Sequence, residues 1–341
     1  MPELMGDRIG IVVIGRNEGE RLKACLRSVI DAGPVVYVDS GSTDGSQDFA
    51  RSLGVEVIGL AVPPNFTAAR ARNTGLDRLT ALHPDITLAQ MVDGDCEVRP
   101  GWIDAARAAL EADPGLALVF GRRRERFPDR SIYNALCDDE WNIPVGEAAG
   151  CGGDALIRLA ALRDVDGYDA SMIAGEDSEM SMRMRKKGWR LARIDAEMTW
   201  HDAALLRFGQ WWRRSRRAGH GFAEMAWRHP DARWPNWPRT CRSILIWGAA
   251  IPALAIAAAL LAIVTTPLLL IVTLALIALY PFKMARIAAG KRAQGLSPAA
   301  ARGIGTLLML GKFPELLGLI GYHRDRLRGR ASRIIEYKGA A

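Results

Sequence analysis

The chain has 341 residues, 49% of them apolar, and a mean hydropathy of +0.02. That length excludes a small stapled peptide and admits one large core or two modest domains. Charge is split, with 24 basic against 32 acidic side chains in residues 1–200 and 21 against 6 in residues 201–341, which excludes one uniformly basic surface.

Ile9–Ile14 is a short β-branched run that predicts a buried strand. It is far too short and poorly flanked for a signal peptide. Leu22, Cys25, Leu26, Val29 and Ile30 recur at helical spacing, so residues 18–32 form an amphipathic helix, stopped by Gly33-Pro34. Val35–Val38 is a second strand, 45–53 a helix, Val55–Leu60 a strand, 67–81 a helix and Ile86–Val92 a buried strand. Such alternation predicts an α/β domain with a mostly parallel, Rossmann-like sheet, whose ligands bind at the carboxyl ends of the strands. Trp102–Ala112 is helical; residues 121–150, with Arg122-Arg123-Arg124, read as an irregular stretch, either acceptor-facing or a solvated connection. Residues 154–163 and 176–187 read as helices, and Gly188–Ile194 as a turn and strand.

The second half changes character. Trp200, Trp211, Trp212, Trp227, Trp234 and Trp237 stand among many arginines, a mixture that suits a membrane interface better than single-stranded nucleic acid. From Ile244 to Phe282 there is no charged residue, enough for two spans of ~20 residues turning at Thr265-Thr266-Pro267. Arg239 and Arg242 before the run, and Lys283, Arg286, Lys291 and Arg292 after it, place both ends of the hairpin in the cytoplasm. Residues 302–322 read as an interfacial helix rather than a third span, because Lys312, Pro314 and Glu315 interrupt them. The expected organisation is a catalytic domain over 1–205, basic Trp-rich helices over 206–243, two transmembrane helices over 244–282 and a basic region with an interfacial helix over 283–341. Cys25, Cys96, Cys137, Cys151 and Cys241 show no zinc or redox spacing and read as packing thiols.

Chemistry concentrates where strands end. Asp93-Gly94-Asp95 sets two carboxylates about a glycine, able to reach one hard cation such as Mg²⁺ or Mn²⁺. Arg16-Asn17-Glu18 follows the first strand, and Asp39-Ser40-Gly41-Ser42-Thr43-Asp44-Gly45 follows the second. The latter admits a base or ribose closely, or else is a plain connection capped by Asp44 or Thr43. Gly175-Glu176-Asp177 opens a later helix, where acidic residues also suit the helix dipole.

With Ala71-Arg72-Asn73-Thr74-Gly75, Gly152-Gly153-Asp154-Ala155 and Asp166-Gly167-Tyr168-Asp169, these blocks make residues 8–205 resemble the family 2 glycosyltransferases, whose nucleotide-sugar-binding domain has the GT-A fold. The resemblance implies that Asp39 contacts the base, with Ser40 beside it, and that Asn17, Glu18 and Arg72 line the nucleotide-sugar pocket. It further implies that Asp93 faces the ribose, that Asp95 binds the metal (Mn²⁺ or Mg²⁺) and that His201 completes its shell. Asp177 would be the general base, with Glu176 next to it. One base without a second nucleophile implies inversion. Processive synthases of that family carry Gln-x-x-Arg-Trp, whereas Gln210-Trp211-Trp212-Arg213-Arg214 has Arg214 in place of the Trp. Transfer of one sugar from a nucleotide-sugar (UDP-sugar by family habit) to a lipid-linked glycan at a bacterial inner membrane is the expected activity, with no nucleic-acid partner. The competing expectation is a non-catalytic membrane scaffold or sensor that binds a nucleotide-sugar.

Overall fold

A computed structural model of the chain describes residues 8–61 and 66–330. Two compact units divide it: one holds the residues up to Phe127 together with Cys137–Ala203, the other Pro128–Leu136 and everything from Ala204 onward.

In the first unit the strands and helices run β1 Ile9–Gly15, α1 Glu20–Val29, β2 Val35–Asp39, α2 Ser46–Ser52, β3 Glu56–Gly59, α3 Ala68–Leu82, β4 Leu88–Asp93, β5 Cys96–Val98, α4 Trp102–Ala112 and β6 Leu116–Glu125. Helix α5, Ile132–Glu140, carries the chain through the division. The unit closes with β7 Gly146–Glu147, β8 Ala155–Arg158, α6 Leu159–Asp164, α7 Glu176–Lys186 and β9 Arg190–His201. The strands form one sheet in the order β3-β2-β1-β4-β8-β6-β9-β5, with β7 on β9. β3, β2, β1 and β4 are mutually parallel; the apolar, buried β1, β2 and β4 suit strands covered on both faces, while β3 is a partly exposed edge. Beyond β4 the sheet is mixed: β8 runs antiparallel to both neighbours, while β6 and β9 are parallel to each other.

Two expectations are corrected. Arg122-Arg123-Arg124 lies on the ten-residue strand β6, not in an irregular stretch. Its guanidinium groups find carboxylates on either side, so a strand can carry three cations in a row: Arg122 on Asp138, Arg123 on Asp154, Arg124 on Glu197. Residues 155–158 are strand rather than helix, because Ala-Leu-Ile-Arg fills the gap between β4 and β6 with buried side chains. A helix begins only at Leu159.

The second unit contains α8 Phe208–Arg228, α9 Trp237–Leu245, a π-helical turn Ile246–Ala250, α10 Ile251–Val264, α11 Leu269–Ala293, α12 Pro298–Leu310 and α13 Lys312–Leu327. Its helices approach closely at glycines. A Cβ on Gly219 of α8 would stand 2.0 Å from the Glu315 carbonyl oxygen, and one on Gly318 of α13 would stand 2.0 Å from that of Arg216. Gly248 meets Lys312 and Gly305 meets Met284 in the same way. Small residues at crossings let helix backbones pack without bulky knobs. Trp211, Leu136, Ile304 and Leu307 make one apolar cluster, and Ala223, Ile244, Leu319 and Tyr322 another. Leu254, Ile256, Leu260, Ile263, Val264 and Ile271 are exposed on the hairpin, which turns between Val264 and Leu269 as expected. Among the described residues, three continuous helical stretches, Trp237–Val264, Leu269–Ala293 and Pro298–Leu327, are long and apolar enough to cross a membrane, so by length and composition the stretch expected to be interfacial qualifies as well.

Candidate active site

The carboxyl ends of β1, β2 and β4 bring the first clusters together. Asn17 adopts a positive φ of 53°; its backbone N–H donates to Ser42 Oγ (2.8 Å), and its Oδ1 accepts from the Thr43 N–H (2.8 Å). The Gly19 N–H donates to Asp44 Oδ2 at 2.9 Å, and the Ser40 N–H to the Gly15 carbonyl at 3.0 Å. Glu18 pairs with Arg21 at 2.8 Å. Gly45 stands at the N-cap position of α2, while Asp44 Oδ1 accepts from the Ser46 N–H of its first turn at 3.1 Å and Oδ2 ties the two loops.

Asp39 is fully buried. Its Oδ2 accepts from the Gly41 and Ser42 N–H groups and from Gln47, and its Oδ1 accepts from the Tyr37 hydroxyl. Burial alone would raise its pKa, but hydrogen bonds from Ser42, Tyr37 and Gln47 outweigh that and hold the carboxyl below its ordinary value. Asp39 thus organises the loop from inside, with both carboxylate oxygens engaged.

Arg72, on α3, is almost wholly buried and acts as a hub. One guanidinium reaches Asp93 Oδ1 at 2.8 Å, Glu176 Oε1 at 2.7 Å and Asp177 Oδ1 at 3.2 Å. It lies over the Tyr168 ring at 5.5 Å. Burial opposes its charge, but Asp177, Asp93 and Glu176 more than compensate and raise its pKa. Asp93 also meets Arg123 at 3.4 Å, and its backbone N–H donates to Asp154. The two arginines hold Asp93 below its ordinary value against the cost of burial. Asp177 is different: burial pushes it up to about 7, Arg72 opposes the shift, and Glu176 and Asp93 add to it. Its side chain keeps 15% exposure, so a carboxylate able to take a proton near neutrality stays within reach of solvent. Gly153 must be glycine here, since a Cβ would fall 2.1 Å from Asp93 Oδ2.

Asp95 and His201 form the third group. Strand β9 lies between β5 and β6, and His201 pairs in register with Cys96 on one side and Glu125 on the other. His201 Nε2 stands 3.1 Å from Asp95 Oδ2, both side chains being buried. That separation suits two ligands of one divalent cation at metal–ligand distances near ~2.1 Å. Cys96 Sγ is close enough to join them, although burial and the neighbouring Asp154 push its thiol pKa up. Burial would lower His201, yet Asp95 and Glu125 outweigh it and keep its pKa raised. Oxygen from Asp95 and imidazole from His201 is a donor set that fits Mn²⁺.

All ten site residues expected from the sequence lie in the first unit, and the structure joins Arg72, Asp93, Glu176 and Asp177 in one network and Asp95 with His201 in a pair. Sequence reasoning missed Arg123, Asp154, Thr199, Glu125 and Trp141. Thr199 donates to Asp154 at 2.8 Å, and Asp154 in turn accepts from Arg123. Trp141 sets its edge against the His201 ring at 4.6 Å and its face toward Arg123 at 5.6 Å. The Gly-Gly-Asp-Ala block carried Asp154, so that one signal was present; the others need the sheet register to be seen.

Comparison with known proteins extends this picture. Residues 10–149 match the Glycosyl transferase family 2 model, and residues 145–288 match Glycosyl transferase family group 2. Pre-mycofactocin glycosyltransferase of Mycobacterium tuberculosis is 28% identical over 237 residues, which are 65% of this chain and 48% of the relative. The chain therefore matches about half the length of that relative. Succinoglycan biosynthesis protein ExoA of Rhizobium meliloti is 27% identical over 213 residues, 58% of this chain and 64% of its own length. Mannosyltransferase PcManGT from Pyrobaculum calidifontis, solved with GDP-Man and Mn²⁺, superposes with a TM-score of 0.57 at 19% identity, over 93% of this chain and 88% of its own. That likeness is one of fold.

Proposed function

Since the chain belongs to the family 2 glycosyltransferases, we propose that it transfers one sugar from a nucleotide-sugar, a UDP-sugar by preference, to a lipid-linked glycan, with inversion at the anomeric carbon. The observation that carries this reading is the Arg72 hub, which sets Asp93 of the Asp-Gly-Asp pair beside the Glu176-Asp177 base candidate. Asn17, Glu18, Ser40 and the loop ordered by Asp39 line the nucleotide end, and Asp93 faces the ribose. Asp95 and His201 would hold a divalent cation, Mn²⁺ or Mg²⁺, whose charge offsets that developing on the leaving diphosphate.

The reaction needs one proton moved. Asp177 takes it from the acceptor hydroxyl as that oxygen attacks the anomeric carbon from the side opposite the diphosphate. The bond from that carbon to the diphosphate oxygen breaks, and its electron pair stays on the departing nucleoside diphosphate. With a single carboxylate base and no enzyme nucleophile, the new linkage has inverted configuration. Glu176, held on Arg72, keeps that guanidinium charged and in place.

A bacterial inner membrane, with the catalytic unit in the cytoplasm, is the proposed location. The flanking cations of the apolar hairpin and its exposed Leu, Ile and Val side chains support it. Arg214 in place of the processive motif's Trp favours a single addition over polymer extrusion.

Two variants test the roles. Asp177→Asn is expected to lower transfer by about 10²- to 10⁴-fold while nucleotide binding with Mn²⁺ stays near wild type. Asp95→Ala is expected to weaken nucleotide binding only when Mn²⁺ is supplied. Wild-type turnover in Asp177→Asn would remove the base assignment.

A further inference from the structure

We propose that Glu125 is a positioning residue for the cation site: its carboxylate faces His201 Nδ1 and takes the Nδ1–H on a small approach, so that Nε2 is the nitrogen left to bind a cation beside Asp95. The inference rests on the metal-binding reading of Asp95 and His201 given above and adds a residue to it. Glu125 ends β6 directly opposite His201 at the end of β9. Its carboxylate is 1% exposed, and its Oε2 lies 3.7 Å from His201 Nδ1, on the side of the ring away from Asp95. Nδ1 is itself buried and has no hydrogen-bond partner at ordinary distance. An orphaned ring nitrogen in a dry site is costly, and a shift of a few tenths of an ångström toward Glu125 removes that cost.

The rest of the surroundings fixes both members in place. Glu125 Oε1 accepts from the Phe127 N–H at 3.1 Å, and Oε2 accepts from the Ala203 N–H at 2.9 Å. These bonds pin the carboxylate to the strand ends, so it cannot swing round to join Asp95. The Trp141 ring packs crosswise on the imidazole, with centroids 4.6 Å apart and planes at 69°, and restricts ring rotation. Imidazole can bind a cation through one nitrogen only if that nitrogen is deprotonated, which leaves the proton on the other. A carboxylate facing Nδ1 selects that tautomer and makes Nε2 the better donor, and outer partners of this kind carry ~10- to 100-fold in metal affinity.

The test is a double-mutant cycle on Mn²⁺ affinity, measured with the full chain in detergent and Mn²⁺ alone, by loss of the free-ion EPR signal. Glu125→Gln should weaken Mn²⁺ binding about 10- to 100-fold when His201 is present. In a His201→Ala background the same change should have almost no effect, since Glu125 then has nothing to orient. Equal losses in both backgrounds would overturn the proposal and make Glu125 a structural residue tying Phe127 and Ala203. Unchanged Mn²⁺ affinity in Glu125→Gln would overturn it as well. If the wild-type chain bound no Mn²⁺ at all, the cation site itself would fall, a result distinct from both. Should Glu125→Gln not fold, Glu125→Asp serves the same cycle, because it keeps the charge but withdraws it from Nδ1.

Discussion

Arg72 holds Asp93, Glu176 and Asp177 with one guanidinium, and its removal would leave three carboxylates facing one another in a poorly solvated pocket. Breaking a buried ion pair on one side typically costs about 3–5 kcal/mol, so Arg72→Ala is expected to lower thermal stability sharply as well as activity. Arg72→Lys should be milder in stability yet still impaired in transfer, because an ammonium lacks the fork that reaches three partners. A Lys variant with full activity would mean the hub is only a charge balance. Asp177 makes a prediction in pH. With its carboxyl raised to about 7, kcat/KM should fall on the acid side with a midpoint near that value. Stability should move the opposite way. The native state holds this proton more tightly than the unfolded chain, so the contribution is present below about pH 4 and lost as pH rises through 7. Asp177→Asn should erase that slope in pH-dependent unfolding. Asp93 and Asp95 were legible in the sequence because a short polar block marks the end of β4, and Asp177 because Gly-Glu-Asp opens α7. Glu125 and Arg123 were not, since each acts through a neighbour on another strand and no local spacing announces it.

At the level of elements, the difference between residues 67–81 and 154–163 is instructive. The first read as a helix and is one, Ala68–Leu82, with Thr67 capping it through the Arg70 N–H. The second also has helix-forming composition, but only Leu159–Asp164 is helical, and Ala155–Arg158 joins the sheet antiparallel to β4 and β6. A four-residue apolar run is ambiguous by periodicity, and the vacancy between two strands decided it. β6 escaped detection for a related reason, as its arginines are satisfied by carboxylates outside the local pattern, Asp138 on α5, Asp154 just before β8 and Glu197 on β9. In the second unit the α8–α13 crossing yields a paired test. Gly318→Ala should destabilise by about 1–3 kcal/mol, because its Cβ meets the Arg216 carbonyl with no room to yield. Gly321→Ala, on the same helix, meets nothing within 4 Å and should stabilise by up to ~1 kcal/mol through helix propensity. Equal thermal shifts of the two variants in detergent would show that the crossing does not bear on stability.

At the scale of the whole molecule, an acidic α/β unit and a basic helical unit with an apolar hairpin divide the chemistry from its setting. A reversal of net charge and 39 residues without a charge mark two kinds of sequence at the level of composition, whereas the grouping of Pro128–Leu136 with the second unit has no such signal. The mixed half of the sheet was not legible either, because antiparallel insertion of β8 depends on long-range pairing. The protein is expected to stay with membranes through high-salt and alkaline carbonate washes and to be released only by detergent; release by salt alone would reduce the hairpin to a peripheral contact. The most direct measurement is a nucleotide-sugar panel with Mn²⁺, full-length protein and lipid-linked oligosaccharide, read by the mass of the extended lipid. The account predicts that one donor adds the mass of a single sugar, and that the product vanishes with Asp177→Asn. Extension undiminished in Asp177→Asn, or no extension with any donor or acceptor lipid, would contradict it.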